Sequence, residues 1–329
     1  GYVARQLIDT FGRVHRDLRI SVTDRCNFRC TYCMPADGLE WLPREELLTF
    51  EEIERVARLM VERHGVDSIR LTGGEPTVRA NLPTLVGMLA GLPADLSMTT
   101  NGVTLRKQAA DLSAAGLKRI NISLDSLHAG RFAELTRRDD LASVLDGIDA
   151  AIEAGLDPVK VNVVVMRDVN DDEIVDLARF GRDRGVEVRF IEFMPLDADQ
   201  SWSDGAVVGR DEIVARIAEA FPLEPVDRTS APATRYRYLD GAGFFGVVAS
   251  VTRSFCDTCD RIRLTADGQF RNCLFAVEEF DLRSLLRSGA SDDDVSDLLL
   301  GAVTAKWAGH GISNVDFIRP SRSMSQIGG

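Results

Sequence analysis

Short β-rich runs alternate with amphipathic helical segments over the first two-thirds of the chain, and this alternation limits the fold more than any other feature. Strands are expected over 18–23, 68–72, 95–100, 119–124, 159–166 and 186–193, and helices over 50–63, 82–92, 105–115, 142–154 and 172–184. Thr49, followed by Glu51 and Glu52, reads as a helix N-cap, and so does the run Asn170-Asp171-Asp172. Gly65, Gly116, Gly155 and Gly185 each stand between a helix and a strand, where a left-handed C-cap is expected. Six β-α units in series with right-handed crossovers predict a parallel sheet. Curled, that sheet is a partial barrel with its site at the C-terminal strand ends. After about Pro225 the texture changes: 234–239 and 246–251 read as antiparallel strands, and 281–287 and 292–306 as short helices. The expected organisation is a barrel over 1–225 and a C-terminal domain over 226–329.

The bulk numbers exclude several classes. A chain of 329 residues with 45% hydrophobic content buries a substantial core. No apolar run approaches the roughly 20 residues of a membrane-spanning helix. A formal net charge of −12 argues against general nucleic-acid binding, so any anion site must gather its cations locally. The sequence opens at Gly1 and not at Met, so a start upstream is expected.

Cysteines are sparse, six in all, and they fall into two triplets. Six in 329 residues is too few for a disulfide scaffold, and thiols kept for ligation suit a reducing cytoplasm. Cys26, Cys30 and Cys33 have the spacing C-x3-C-x2-C just after the first expected strand. A cubane cluster normally takes one thiolate per iron, so three thiolates leave one iron open for chemistry. Structural zinc wants four ligands and is the poorer fit. The second triplet, Cys256-x2-Cys259-x13-Cys273, also lacks a near fourth ligand. A second cluster with its own open iron or a structural zinc completed by a distant His, such as His64 or His310, both account for it.

Parallel strands are normally near-continuous apolar runs. Here Arg19, Arg70, Lys160 and Arg189 interrupt four different strands, and Arg261 and Arg263 follow the second cysteine pair at alternate positions. An isolated buried cation is costly, and any one of these alone reads as a strand-end charge. Four on one curled sheet favour convergence on an anion, and arginine forks suit carboxylate or phosphate. The glycine pair in Leu71-Thr-Gly-Gly-Glu-Pro76 lets backbone approach a ligand closely, or serves an ordinary turn. Asn121, Ser123 and Asp125 alternate and suit hydrogen bonds to a ribose or to S-adenosylmethionine, while Phe28 and Met34 read as packing.

The first triplet with Tyr32 before its third cysteine resembles the signature of radical S-adenosylmethionine (SAM) enzymes, in which the open iron chelates SAM. Nearly the whole chain resembles one family within it, the GTP 3′,8-cyclases of molybdenum cofactor biosynthesis. The resemblance runs through Asp9-Thr-Phe-Gly12, the stretch 18–25, Leu71-Thr-Gly-Gly-Glu-Pro76 and Thr99-Thr-Asn-Gly102. It continues through Ile120-Asn-Ile-Ser-Leu-Asp125, Val159-Lys-Val-Asn162, Arg189-Phe-Ile-Glu-Phe-Met194, the stretch 255–264 and the terminal Gly328-Gly329.

This resemblance implies a partial (β/α)6 TIM-like barrel with a C-terminal iron–sulfur domain and two 4Fe–4S clusters, one on each triplet. It implies SAM contacts at Tyr32, Gly74, Ser123 and Met194. GTP contacts are implied at Arg19, Arg70, Thr99, Lys160, Arg189, Arg261, Ile262 and Arg263, with Arg19, Arg261, Arg263, Gly328 and Gly329 as catalytic candidates. The implied reaction is hydrogen abstraction from C3′ of GTP followed by attack on C8. The implied partners are a second copy in a homodimer, an external electron donor and cyclic pyranopterin monophosphate synthase, with neither nucleic acid nor membrane. One departure stands out: family members commonly carry Lys where this chain has Ser68. A peptide-modifying radical SAM maturase and an iron–sulfur electron carrier are the competing readings.

Overall fold

In the computed structural model the described residues are 5–9, 12–28, 41–193, 207–226, 233–249, 261–271 and 279–304. They form one twelve-stranded sheet, in the order β12-β11-β10-β1-β2-β3-β4-β5-β6-β9-β8-β7. The strands are β1 (Asp17–Ser21), β2 (Ser68–Thr72), β3 (Asp95–Thr100), β4 (Arg119–Ser123), β5 (Val159–Val165) and β6 (Glu187–Glu192), then β7 (Leu223–Pro225), β8 (Ala233–Tyr238), β9 (Phe244–Val248), β10 (Arg261–Leu264), β11 (Gln269–Arg271) and β12 (Phe280–Asp281). The six expected strands are all present, and each pairs in parallel with the next in sequence.

The expected antiparallel pair after 225 is β8 with β9. What the sequence did not announce is that the later strands extend the same sheet. β9 pairs in parallel with β6, and β10 in parallel with β1, so eight strands run one way. Beyond these, β11 on one side and β8 on the other run antiparallel, and the outermost strands β12 and β7 return to the common direction.

The helices are α1 (Phe50–His64), α2 (Leu82–Ala90), α3 (Leu105–Ala115), α4 (Ala129–Thr136), α5 (Leu141–Glu153), α6 (Ile174–Arg184), α7 (Arg210–Ala220), α8 (Leu282–Arg287) and α9 (Asp292–Thr304). α4 and α7 were not anticipated. At Thr49 the expected cap is a full capping box: Glu52 N–H donates to Thr49 Oγ1 (3.1 Å) and Thr49 N–H to Glu52 Oε1 (2.9 Å). Asn170 does stand at the N-cap position, but without a side-chain capping bond. A single 3-10 turn, Asp171–Glu173, precedes α6, and the Asn170 side chain does other work described below. None of these helices is long and apolar enough to cross a membrane.

Strand alternation sorts the sheet into two chemistries. Leu18, Ile20, Ile69, Leu71, Met98, Ile120, Ile122, Val161, Val163, Val188 and Phe190 are buried on one face, under Ile53, Val56, Leu85, Leu112, Val144, Ile148 and Leu177 of the helices. The intervening positions are polar and mostly half-buried: Asp17, Arg19, Ser68, Arg70, Asn121, Ser123, Lys160, Asn162, Glu187 and Arg189. A helix-covered sheet with a polar second face must wrap that face around a cavity or leave it open to water.

Electrostatics shows that it wraps. Arg261 on β10 acts on Arg189 on β6 strongly enough to lower its pKa, yet six strand spacings separate them along the sheet. At about 4.8 Å per spacing a flat sheet would hold them about 29 Å apart, a distance at which salt removes most of the interaction. The sheet is curled, and its polar face is the inside.

Candidate functional site

The cysteine loop leaves β1 at its C-terminal end, and the glycine pair after β2 fixes its first residues. Gly74 N–H donates to Thr23 carbonyl (2.9 Å) and Glu75 N–H to Arg25 carbonyl (2.7 Å), extending the β1–β2 ladder to the edge of Cys26. Both glycines are required by contact. A Cβ on Gly74 would stand 2.2 Å from Arg25 carbonyl oxygen, and one on Gly73, whose φ is 141°, 2.4 Å from that of Thr23.

Glu75 is the hub of this corner. Its buried carboxylate accepts from Thr77 N–H (3.1 Å) and Thr77 Oγ1, from Thr100 Oγ1 (2.6 Å) and from Asn101 N–H (2.6 Å). Burial raises its pKa, and the bonds from Thr100 and Thr77 pull against that. Through them Glu75 locks the turn after β3 against the turn after β2. Asn101, held there, directs its amide Nδ2 at Cys26 Sγ (4.0 Å) and at Asn27 Oδ1, and Phe28 N–H donates to the same sulfur (3.4 Å). Arg138 Nε caps Asn27 carbonyl (3.1 Å), and Phe28 packs edge-on against Phe132 at 5.6 Å. Donors aimed at a cysteine sulfur favour its thiolate form.

Deeper in the barrel the predicted cations do converge. Arg19 stands in register between Arg70 and Arg263, and Asp17 between Ser68 and Arg261. Arg19 has its pKa lowered well below the ordinary value, by burial first, then by Arg70 and Arg261, with Asp17 opposing. Arg70 is pushed down to about 10, again mainly by burial, against Asp17 and with Arg189, Arg261 and Arg119 adding to the fall. Burial and Arg189 push Lys160 down to about 8, although Glu187 lies 3.7 Å from its Nζ. Arg189 is lowered by burial, with Glu187 opposing. Arg70 Nε donates to Ser97 Oγ (3.1 Å), and the Asn121 amide, oriented to satisfy its neighbours, accepts from Arg70 Nη1 (3.2 Å). Like charges about 6 Å apart repel by roughly 3 kcal/mol at an effective dielectric near 20, so such neighbours are costly. A pocket that accepts this repulsion is built for a multiply charged anion.

At the ends of β4 and β5 a third group of residues sets the rim. Asp125 Oδ1 accepts from Val164 N–H (2.8 Å), which makes Asp125 a pin between strands. Asn170 Nδ2 donates to the carbonyls of Asp125 (2.8 Å) and Val164 (2.9 Å), and its Oδ1 accepts from Met166 N–H (2.8 Å). Buried Glu173 accepts from Ser126 Oγ, Leu127 N–H and Arg131 Nη1, each at 2.7 Å. Together they hold the turn that follows Ser123.

Of the sequence-predicted residues, Arg19, Arg70, Lys160, Arg189, Arg261 and Arg263 share the inner face, with Thr99 in register beside Asn121 and Ser123 beside Asn162. Ile262 sends its side chain the other way and is fully buried in the apolar layer. His64 is buried with Nδ1 on Arg5 carbonyl (2.6 Å). Tyr32, Met34, Met194, His310, Gly328, Gly329 and every cluster cysteine except Cys26 lie outside the described residues. Sequence reasoning passed over Asn101, Glu75, Arg119, Asn170 and Glu173. Glu75 and Asn101 were in quoted motifs, but only a fold brings them to Cys26.

Comparisons with known proteins join this geometry to a family. Residues 20–181 match the radical SAM superfamily, and residues 186–312 match the Molybdenum Cofactor Synthesis C family. A GTP 3′,8-cyclase of Corynebacterium glutamicum is 50% identical over 338 residues, covering 99% of this chain and 90% of that protein. The chain belongs to the GTP 3′,8-cyclase family. A second cyclase, from a Mycobacterium species, is 52% identical over 327 residues, covering 98% of this chain and 93% of its own length. Among solved structures, Streptococcus suis SuiB bound to its precursor peptide SuiA aligns with a TM-score of 0.62 at 14% identity, over 89% of this chain and 67% of SuiB. The same protein bound to S-adenosylmethionine gives 0.60 at 14%, over 87% and 68%. That likeness is one of fold, the partial (β/α)6 TIM-like barrel of radical SAM proteins.

Proposed function

We propose that this cyclase-family protein is a radical SAM enzyme that converts GTP to (8S)-3′,8-cyclo-7,8-dihydroguanosine 5′-triphosphate, the first step of molybdenum cofactor biosynthesis. The observation that carries the reading is the cluster of Arg19, Arg70, Lys160, Arg189 and Arg261 inside the barrel of a protein whose net charge is −12. A peptide substrate gives no reason for that concentration of positive charge, and a simple electron carrier gives none either.

The residues fit the implied cofactors. Cys26, Cys30 and Cys33 supply three thiolates to one cluster, and Cys26 already receives donors from Phe28 and Asn101. When bound, a 4Fe–4S cluster with SAM at its open iron supplies one-electron cleavage of SAM and a 5′-deoxyadenosyl radical. The chain's own residues do the rest. Gly74 and Ser123, at the C-terminal strand ends, would face SAM, and Tyr32 and Met194 are its further proposed contacts. Arg19, Arg70, Thr99, Lys160 and Arg189 grip the triphosphate and so fix C3′ of the ribose against that rim. Arg261 and Arg263, on the strand beside Arg19, add to that grip, and Cys256, Cys259 and Cys273 would supply three thiolates to a second cluster that would take the guanine base. Gly328 and Gly329 are further catalytic candidates of this reading. Hydrogen leaves C3′, C3′ bonds to C8 within the same nucleotide, and one electron and one proton from an external donor close the balance. A homodimer and transfer of the product to cyclic pyranopterin monophosphate synthase complete the reading.

Anaerobically reconstituted protein with SAM and a strong reductant tests it. GTP is expected to trigger 5′-deoxyadenosine formation and to give a nucleotide product isomeric with GTP, of the same mass but separated from it by chromatography. Arg261→Ala and Arg263→Ala are expected to abolish that product with iron content unchanged. Equal 5′-deoxyadenosine yield with and without GTP, and no nucleotide product, would overturn it.

A further inference from the structure

One cation of the inner face has no role in the reading above. Arg119 opens β4 and is in register with Ser97, which is in register with Arg70 on its other side. Arg70, Ser97 and Arg119 are therefore one row across three strands. Arg119, Asn121 and Ser123 share a face by alternation, and Asn121 reaches Arg70, so this face is the inside of the barrel. Arg119 is near enough to depress the pKa of Arg70, Lys160 and Arg189 alike. Its Nη2 pairs with Asp95, while a third of the side chain (33%) faces open space. Among the described residues its Nε has no hydrogen-bond partner. Asp95 in turn is in register with Ser68, a neutral residue on β2.

Position along the strand gives the cation its use. Cys26 and Ser123 lie at the C-terminal ends, where the sugar must react. Arg119 lies four residues below Ser123, about 13 Å down β4. The phosphates of a nucleotide held at the rim run down the barrel toward that depth.

We propose that Arg119 binds the distal phosphates of the substrate triphosphate, closing the cation ring at the N-terminal rim beside the neutral Ser68 position, with Asp95 competing for the same guanidinium. Arg119 is thus a specificity residue that separates triphosphates from monophosphates. The proposal rests on the GTP reading and can fail without it.

The test is calorimetric titration of GTP and of GMP into anaerobically reconstituted protein. Arg119→Gln is expected to weaken GTP about tenfold, as loss of one charge-assisted phosphate contact does. GMP affinity and kcat at saturating GTP should stay within twofold. Asp95→Asn, which breaks the same ion pair, should leave GTP affinity unchanged or tighter, and Arg119→Lys should recover part of it. If Arg119 only pairs with Asp95, the Gln and Asn variants will instead lower Tm together and leave the GTP-to-GMP ratio alone, and the proposal is wrong. Unchanged GTP affinity in Arg119→Gln overturns it too, while wild-type protein that binds no GTP overturns the parent reading and this one with it.

Discussion

Glu75 shows how a buried charge is kept at the scale of one residue. Its carboxylate has four donors, and removing a buried partner leaves the other groups with their desolvation cost. Glu75→Gln keeps the shape but removes the charge and one acceptor. It is expected to lower stability by about 1–3 kcal/mol, read by anaerobic denaturant unfolding, and to broaden the spectrum of the reconstituted cluster through Asn101. Lys160 behaves differently, because its pKa near 8 falls below the ordinary 10.5. The unfolded chain holds that proton more tightly, so this group disfavours the fold at neutral pH, and the effect fades as pH climbs from about 8 toward 10.5. Substrate binding has the opposite sign. A triphosphate wants the charged lysine, so KM for GTP should rise above pH 8, by up to about tenfold per unit, in steady-state assays. Lys160→Arg, charged throughout, should flatten that rise.

The elements differ in how plainly the sequence displays them. The six barrel strands and their helices stand out because apolar periodicity and helix-stop glycines agree. β10 does not: Arg261-Ile-Arg-Leu264 is four residues long, half of it charged, and reads as the tail of a cysteine motif until it pairs with β1. α4, with eight residues, lacks a side-chain cap. Asn170 holds the cap position that its residue type and setting suggest, but a tertiary partner, the turn after β4, claims its amide. The cation cluster was legible in part, since charges on strands are conspicuous, whereas the hydrogen bonds around Cys26 depend on turns that only folding brings together. Gly74 tests that corner. Gly74→Ala would drive a methyl into Arg25 carbonyl at 2.2 Å, shifting the leader of the cysteine loop. Iron and sulfide bound after reconstitution should fall at least severalfold, while far-ultraviolet circular dichroism stays near wild type.

At the scale of the whole molecule, an acidic exterior encloses a basic lumen, and closure is what permits it. The C-terminal region adds strands to both sides of the barrel and grips α1 through Arg55–Asp292 and Arg63–Asp293 (2.9 Å each) and Arg287–Glu52 (3.1 Å). Mutual repulsion among the inner cations costs the fold stability, and on the proposed reading a bound triphosphate offsets it. Arg189→Met should therefore raise stability by about 1 kcal/mol or more, seen as a higher Tm, while weakening GTP at least tenfold. The most direct test of the central claim follows one atom. Anaerobically reconstituted protein is given SAM, reductant and GTP deuterated at C3′, and the nucleosides are weighed by mass spectrometry. Deuterium is predicted in 5′-deoxyadenosine, tying SAM cleavage, substrate and site of abstraction into one event. Unlabelled 5′-deoxyadenosine would contradict abstraction from C3′ of GTP, and none at all from cluster-loaded protein would contradict the radical SAM reaction itself.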